Sequence, residues 1–228
     1  MVKNVLSIGL LALVLVSCGG DSAEPSTTLT PTTETSVTGG ETALAVVDEW
    51  LDALAIGRYG VADVMVVDEQ FVLLLAVESF SVDLYEALVE DGIGQEVSAT
   101  FWESFVLGVR GFTGAGITEV EILGADPFSA YGRRFAEVEA TSPRGDLTVV
   151  AILGDDARWH VDLLATFGSS FAPLFRQWVD RLPAGADAPL QALGRQRASL
   201  EVARDRAIAA GEDEARVELD DLLALLAG

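Results

Sequence analysis

The 228-residue chain is poor in the side chains from which most reactive and ionic sites are built, because it holds one Cys, one His and one Lys. A thiolate zinc site or a disulfide needs at least two Cys, and a metal site of several imidazoles needs more than one His. The 14 basic residues also fall far below the 36 acidic ones, which gives a net charge of -22. A nucleic-acid binder needs an excess of basic residues, so we expect no nucleic-acid partner. Because Cys and His are so scarce, we also expect no metal, and we expect no cofactor.

The chain also lacks an apolar run long enough to span a membrane. The run at its start, Val5 to Val16, covers only about 12 residues. Behind Lys3, such a run is typical of the h-region of a signal peptide. It ends in Leu15-Val16-Ser17-Cys18. This ending resembles the bacterial lipobox, in which small residues precede an invariant Cys that is diacylated and becomes the mature N-terminus.

The lipobox resemblance implies a signal peptide over residues 1–17, cleavage between Ser17 and Cys18, and lipid attachment to Cys18. The alternative is an ordinary secretory peptide that happens to contain a Cys. Each buried CH₂ of a lipid contributes about 0.8 kcal/mol, so two or three acyl chains anchor a protein stably. We therefore expect an extracytoplasmic lipoprotein that is held on the bacterial cell membrane through Cys18 and does not cross it.

Residues 18–41 form a segment rich in Thr, Ser and Pro. Between Asp21 and Glu41 there are seven Thr, three Ser, two Pro and four acidic residues, and no basic one. Such a segment cannot bury enough apolar surface to offset its ordering entropy, so the composition predicts an extended tether. At ~3.3 Å per residue, the tether would reach at most roughly 70 Å.

Residues 42–183 combine a helical part with a strand part, which predicts an α+β domain. Up to about Arg110, apolar residues recur at helical spacing, and the longest stripe is Leu73, Val77, Phe80, Leu84 and Leu88. From Ile117 the period changes to two. We predict four strands, at about 117–124, 131–141, 147–154 and 158–167. The short connections between the later strands imply an antiparallel meander.

Alternation along the predicted strands sorts their side chains into two faces, one buried and one wet. The strand at 147–154 is apolar on both sides, which predicts a central position. The inward set is Val120, Ile122, Ala136, Val138, Ala140, Trp159, Val161, Leu163 and Phe167. The outward, charged set is Glu119, Glu121, Arg133, Glu137, Glu139, Arg158, His160 and Asp162.

Two segments carry a resemblance to a known fold. The last predicted strand reads Ala157-Arg158-Trp159-His160-Val161-Asp162-Leu163, and the first helix, Val46 to Leu54, is followed by Gly57-Arg58-Tyr59. These segments resemble the NTF2-like cone fold, especially its lipoprotein-borne members, over residues 42–168. The resemblance implies N-terminal helices packed on a curved antiparallel four-stranded meander sheet that encloses a pocket.

Residues 184–228 return to helical spacing after Pro183. We predict a C-terminal helical hairpin whose apolar stripe must be covered, and we expect it to pack on its own domain rather than on another chain. Its Leu residues lie at Leu190, Leu193, Leu200, Leu219, Leu222, Leu223 and Leu226. The acidic residues at 212–214 and 220–221 lack the spacing of a calcium loop, which favours a solvated helix face. Ser169 and Ser170 are expected to cap a helix that begins near Phe171.

Few residues offer reactive chemistry. His160 and Asp162 are weak polar candidates, because an imidazole near a carboxylate can act in general acid–base catalysis. Strand alternation places both on the outward face, away from a cone pocket. We therefore predict a non-enzymatic binding or assembly module for a protein partner or a small apolar ligand. The alternative is a small-molecule enzyme of the isomerase or dehydratase kind that uses the cone pocket.

Overall fold

The computed structural model describes residues 39–113, 116–143 and 145–227, and these ranges lie in one compact unit. The predicted signal peptide, Ser17, Cys18 and most of the tether lie outside the described residues. The helices are α1 (Ala43–Ala55), α2 (Tyr59–Met65), α3 (Asp68–Ser79), α4 (Val82–Asp91), α5 (Gln95–Thr113), α6 (Leu163–Val179), α7 (Asp187–Arg195), α8 (Arg197–Ala210) and α9 (Asp213–Leu225). The strands are β1 (Glu121–Ala130), β2 (Arg133–Ser142), β3 (Gly145–Leu153) and β4 (Trp159–Val161).

The long stripe predicted between Leu73 and Leu88 is divided between α3 and α4. Phe80 adopts a left-handed conformation with φ of 51°, which ends α3. The Ser81 side chain then accepts a hydrogen bond from the Leu84 amide and caps α4. The seven residues from Phe71 to Val77 are all buried, so α3 is a core helix with apolar contacts on every side.

The four strands form an antiparallel sheet in the order β1-β2-β3-β4. The predicted α+β class and the four-stranded antiparallel meander are therefore confirmed, as is the central position of β3. The strand bounds differ at the two edges. β1 begins at Glu121 and runs to Ala130, later than expected, because residues 117–119 form a 3-10 turn. β4 is only three residues long. The sheet edge beside it is covered in part by Gly40, which pairs with Trp159, so the folded body begins before Thr42.

The sheet is covered on both faces, which corrects the prediction of a wet outer face. On the inward face, Ala136, Val138 and Val161 are buried in the main core, which α1 also lines. On the opposite face, Phe135 and Val150 are buried with residues of α6 and α8 in a second apolar cluster, which consists of Phe135, Val150, Ile152, Ala165 and Val202. The charged side chains of that face lie around the cluster rather than across it. For example, Glu137 pairs with Arg206 of α8 at 3.0 Å.

The strand predicted at 158–167 is shorter than expected, and the helix expected to begin near Phe171 begins earlier, because α6 starts at Leu163. The chain leaves β4 after Val161, and the side chain of Asp162 accepts a hydrogen bond from the Ala165 amide at 2.8 Å. Asp162 is thus the N-cap of α6, and Ser169 and Ser170 lie inside this helix instead of capping one at Phe171. An N-cap residue is itself extended, so the strand-like alternation continues to Asp162 although the strand has already ended.

Residues 184–228 form three helices rather than the predicted two, and these helices contact α3 and α6 of the same chain. Helices α8 and α9 form a hairpin against α6, and α7 precedes them against α3. The hairpin approaches α6 closely at Gly168, where an added Cβ would lie 2.8 Å from the Cβ of Ala203. Leu200, Leu219 and Leu222 are fully buried in this contact layer. Among the described residues, no helix is long and apolar enough to cross a membrane.

Candidate functional site

A groove of about 1070 Å³ lies where the helical and strand parts of the molecule meet. Five parts of the chain form its walls: residues 63–71 at the junction of α2 and α3, Ile93 between α4 and α5, residues 131–133 at the β1–β2 turn, residues 152–160 around the β3–β4 turn, and residues 195–201 at the junction of α7 and α8. Because these segments are far apart in the sequence, the groove exists only in the assembled fold.

His160 lines the groove but presents no free nitrogen to it. Its Nε2 lies 3.2 Å from the Oδ2 of Asp156, and its Nδ1 is buried without a partner among the described residues. The ring fits between two glycines: a Cβ on Gly39 would lie 2.8 Å from His160 Cε1, and one on Gly154 would lie 3.1 Å from His160 Cδ2. The imidazole is therefore held in a slot, with one nitrogen engaged and the other enclosed.

Asp156 is the partner of His160 rather than Asp162, although the sequence suggested Asp162. Partial burial acts to raise the pKa of Asp156, but the backbone amide of Arg158 and the ring of His160 together lower it. The carboxylate therefore stays ionised beside the imidazole. The β3–β4 turn brings the two side chains together, since His160 follows Asp156 by four residues around the turn.

Asp162 belongs instead to a buried polar cluster. We call it the Asp162 cluster and define it as Gln70, Asp162 and Ser199. All three residues are at most 2% exposed. Gln70 Nε2 donates to Asp162 Oδ1 at 2.9 Å, and Ser199 Oγ donates to Asp162 Oδ2 at 2.6 Å. Gln70 Oε1 also accepts from the Leu164 amide at 3.1 Å. The cluster thus ties α3, the start of α6 and α8 together behind the groove wall.

Burial raises the pKa of Asp162 above its usual range, against the opposing effect of the hydrogen bonds from Ser199, the Ala165 amide and Gln70. No ion pair reaches this carboxyl from any described cation. Desolvation disfavours the charged form of an acid, and three neutral donors offset only part of that cost. His160 and Asp162 consequently form no catalytic pair, because they face different surroundings.

A third polar contact lies at the far side of the groove. The Asp63 carboxylate accepts hydrogen bonds from Ser98 Oγ at 2.7 Å and from Trp102 Nε1 at 2.6 Å. Burial raises the pKa of Asp63, while the two donors lower it and the charge of Asp68 raises it further. Both donors belong to buried residues of α5, so Asp63 joins α2 to α5.

The arginines of the groove are occupied by neighbouring acids. Arg195 forms an ion pair with Glu69, and Arg197 pairs with Glu201 at 3.0 Å. Arg133 lies 3.5 Å from Asp155, whose side chain is 96% exposed, so this pair is held loosely. The remaining acids of the lining are Asp63, Asp68 and Asp156. A ligand would therefore meet a mixed surface on which carboxylates outnumber guanidinium groups.

Sequence reasoning found His160 and missed the other groove residues. Its partner Asp156 lies in the short connection between the strands predicted at 147–154 and 158–167, where the sequence indicates only a turn. The role of Asp162 had a usable signal, because an Asp followed by apolar residues at helical spacing through Phe175 and Trp178 is typical of a helix N-terminus. Gln70 and Ser199 had none, since neither residue type nor spacing shows that two polar side chains on different helices meet.

Comparisons with known proteins identify no relative: no protein-family model, no curated protein and no solved structure matches the chain. In the described ranges, no group of three or more His, Cys, Asp or Glu side chains is arranged to hold a metal ion.

Proposed function

We propose that the chain is an extracytoplasmic lipoprotein, anchored to the cell membrane through Cys18, whose folded body binds a segment of a protein partner in the groove. The proposal that the folded body binds a partner rests on the groove itself. Its volume of about 1070 Å³ lies at the upper limit of small-molecule sites, which span roughly 300–1,000 Å³. Its charged lining suits a polar or basic segment better than a small apolar ligand.

The enzymatic alternative receives less support from the groove. A general base needs a nitrogen or oxygen within hydrogen-bonding reach of the substrate proton. The Nε2 of His160 contacts Asp156, its Nδ1 is buried, and the Asp162 carboxyl is fully buried. A binding role requires none of these groups to be free.

The anchor is tested by replacing the predicted lipid-bearing residue. In Cys18→Ala we expect loss of lipid label, loss of the signal cleavage and release from the membrane fraction. Ser17→Ala is the matched control, because it keeps a small residue before the Cys and should stay acylated. A Cys18→Ala protein that keeps its lipid label and its membrane location would refute the assignment.

The binding part is tested by reversing one charge inside the groove and one outside it. Asp68 lines the groove and Asp91 at the end of α4 does not, and both are exposed. The full chain should be crosslinked in cells and its partners identified for wild type, Asp68→Arg and Asp91→Arg. We expect a partner that is kept in Asp91→Arg and lost in Asp68→Arg. Equal recovery from both variants would exclude the groove as the binding surface.

The NTF2-like relationship remains a proposal. In its favour, helices precede an antiparallel meander sheet, and α1 packs on the inward face of that sheet. The second helical layer, α6 to α9, would then be an addition that covers the opposite face. An experimental structure whose sheet and α1 superpose on those of a cone-fold protein would support the relationship, and a flat sheet with α1 outside its concave side would contradict it.

A further inference from the structure

Charge is distributed unevenly along the groove. Three arginines and six acids line it, so its net charge is -3 with His160 neutral. Each of the three arginines pairs with one of these acids. Among the other three acids, Asp156 contacts His160, which leaves Asp63 and Asp68. The uncompensated negative charge therefore lies mainly at one end of the groove, where α2 passes into α3.

No described cation pairs with either carboxylate at this end of the groove. Among the described residues, Asp63 receives hydrogen bonds from the neutral side chains of Ser98 and Trp102. The Asp68 side chain is exposed and forms no hydrogen bond or ion pair with any described residue. Two neutral donors need an acceptor rather than a charge. The packing of Asp63 against α5 therefore leaves the role of its negative charge open.

The Asp63 carboxylate is already held in position for a ligand. Ser98 is 1% exposed and Trp102 is 0% exposed, so both donors are fixed in the core. A carboxylate offers about four lone-pair sites, and these two side chains leave at least one of them open. A group that is fixed before binding loses little conformational entropy when a partner binds, so this end of the groove is preorganised for a cationic side chain.

An apolar surface adjoins the two carboxylates. Ile93 lines the groove from the connection between α4 and α5. Because Asp63 contacts Ser98 in the first turn of α5, Ile93 lies at the same end of the groove as Asp63. Val67, the N-cap of α3, lines the groove beside Asp68. A segment that presents a cation to this end would thus bring its neighbouring residue against an apolar wall.

We propose that the bound segment of the partner presents an arginine or lysine side chain between Asp63 and Asp68, and packs an apolar neighbour on Ile93 and Val67. This inference rests on the proposed binding function and adds the chemistry of the segment.

Charge complementarity favours this occupant over the others. A second copy of the chain carries a net charge of -22 and is repelled, and an acidic segment would meet like charges at Asp63 and Asp68. A free metal ion would find two carboxylates here, which is fewer than the described side chains would need for a group of three ligands.

The test begins with a display library of random peptides, from which the full chain selects binders. We expect the binders to be enriched in an arginine or lysine beside an apolar residue. Asp68→Asn should weaken the binding of a selected peptide about tenfold or more, because close charge pairs across an interface are coupled by at least that amount. Asp48→Asn is the matched control, since Asp48 is exposed on α1 and does not line the groove. This variant should bind as wild type does.

A second measurement separates the charge from other effects of the substitution. Replacing the arginine of the peptide by citrulline, or its lysine by acetyl-lysine, removes the positive charge. The resulting loss of affinity should be smaller in Asp68→Asn than in wild type, because the two changes remove the same interaction. Losses that simply add would show that the cation lies elsewhere and would overturn the inference.

Failure of this inference is distinguishable from failure of the binding function. Selected peptides that lose affinity in Ile93→Ser but carry no basic residue, or that bind Asp68→Asn as tightly as wild type, would refute the inference and keep the groove as the binding surface. Selected peptides whose affinity changes in neither variant bind outside the groove and would contradict both proposals. A selection that yields no binder would also count against both.

Discussion

At the scale of single residues, Asp63 shows how one carboxylate serves two buried donors. It is half-buried at the groove and accepts from Ser98 and Trp102. Trp102 is 0% exposed and Ser98 is 1% exposed, so neither donor has water as an alternative partner. The sequence alone offers no sign of this contact, because Asp63 lies 35 and 39 residues away from its two donors.

The first prediction compares three substitutions at this position and its neighbour. Asp63→Ala should lower the free energy of unfolding by about 1–3 kcal/mol, because it leaves buried donors unpaired. Asp63→Asn keeps an acceptor and should cost less. Asp68→Asn, on an exposed neighbour, should change stability by about 0.5 kcal/mol or less. Urea unfolding followed by Trp fluorescence measures all three, and equal losses for Asp63→Ala and Asp68→Asn would show that the contact contributes nothing.

At the scale of elements, helix α6 depends on close contact with α8. Gly168 of α6 faces Ala203 of α8, and the side chains beside them, Ala172 and Ala207, are also small and buried. Small residues allow two helix backbones to approach, and the α6–α8 contact buries Leu200 at the same interface. Glycine is therefore retained inside α6 although it costs helix stability.

The second prediction uses two glycines that both lie inside helices. At Gly108 of α5 an added Cβ meets nothing within 4 Å, so Gly108→Ala should stabilise the protein by about 0.5–1 kcal/mol. At Gly168 the added Cβ would lie 2.8 Å from Ala203, so Gly168→Ala should destabilise by about 1–3 kcal/mol despite the same gain in helix propensity. Thermal unfolding of both variants measures the difference. Stabilisation by Gly168→Ala would mean that α8 moves away without cost.

The elements also show why the sequence predicts some parts and not others. Helical spacing located α1, but it did not show that the buried side of this helix is centred on Val46 and Trp50, which leaves the apolar Leu44 41% exposed. Alternation located β2, and a continuous apolar run located β3, because the side chains of β3 are buried on both faces of the sheet. It failed at Asp162, where an extended N-cap prolongs the strand pattern. The groove could not be predicted, because its walls meet only through contacts such as Glu69 with Arg195.

At the scale of the whole molecule, negative charge dominates. From Cys18 onward the sequence holds 13 Arg and 36 acidic residues, so its net charge is 13 - 36 = -23. Most ion pairs among the described residues are partly exposed, as between Arg176 and Glu218 at 3.0 Å, and exposed pairs contribute only about 0–1 kcal/mol each. The acids that have no partner repel one another at every separation within a Debye length.

The last prediction follows from that excess of acids. Raising NaCl shortens the Debye length from ~30 Å at 0.01 M to ~3 Å at 1 M, which screens repulsion over long distances more than attraction within close ion pairs. We therefore expect the urea midpoint at pH 7 to rise steeply at low salt and to level off at higher salt. Screening saturates in this way, whereas salting-out of apolar surface continues to rise with concentration. A midpoint that falls as salt is added would mean that ion pairs such as Arg176 with Glu218 outweigh the repulsion, and that the acidic surface costs the fold nothing.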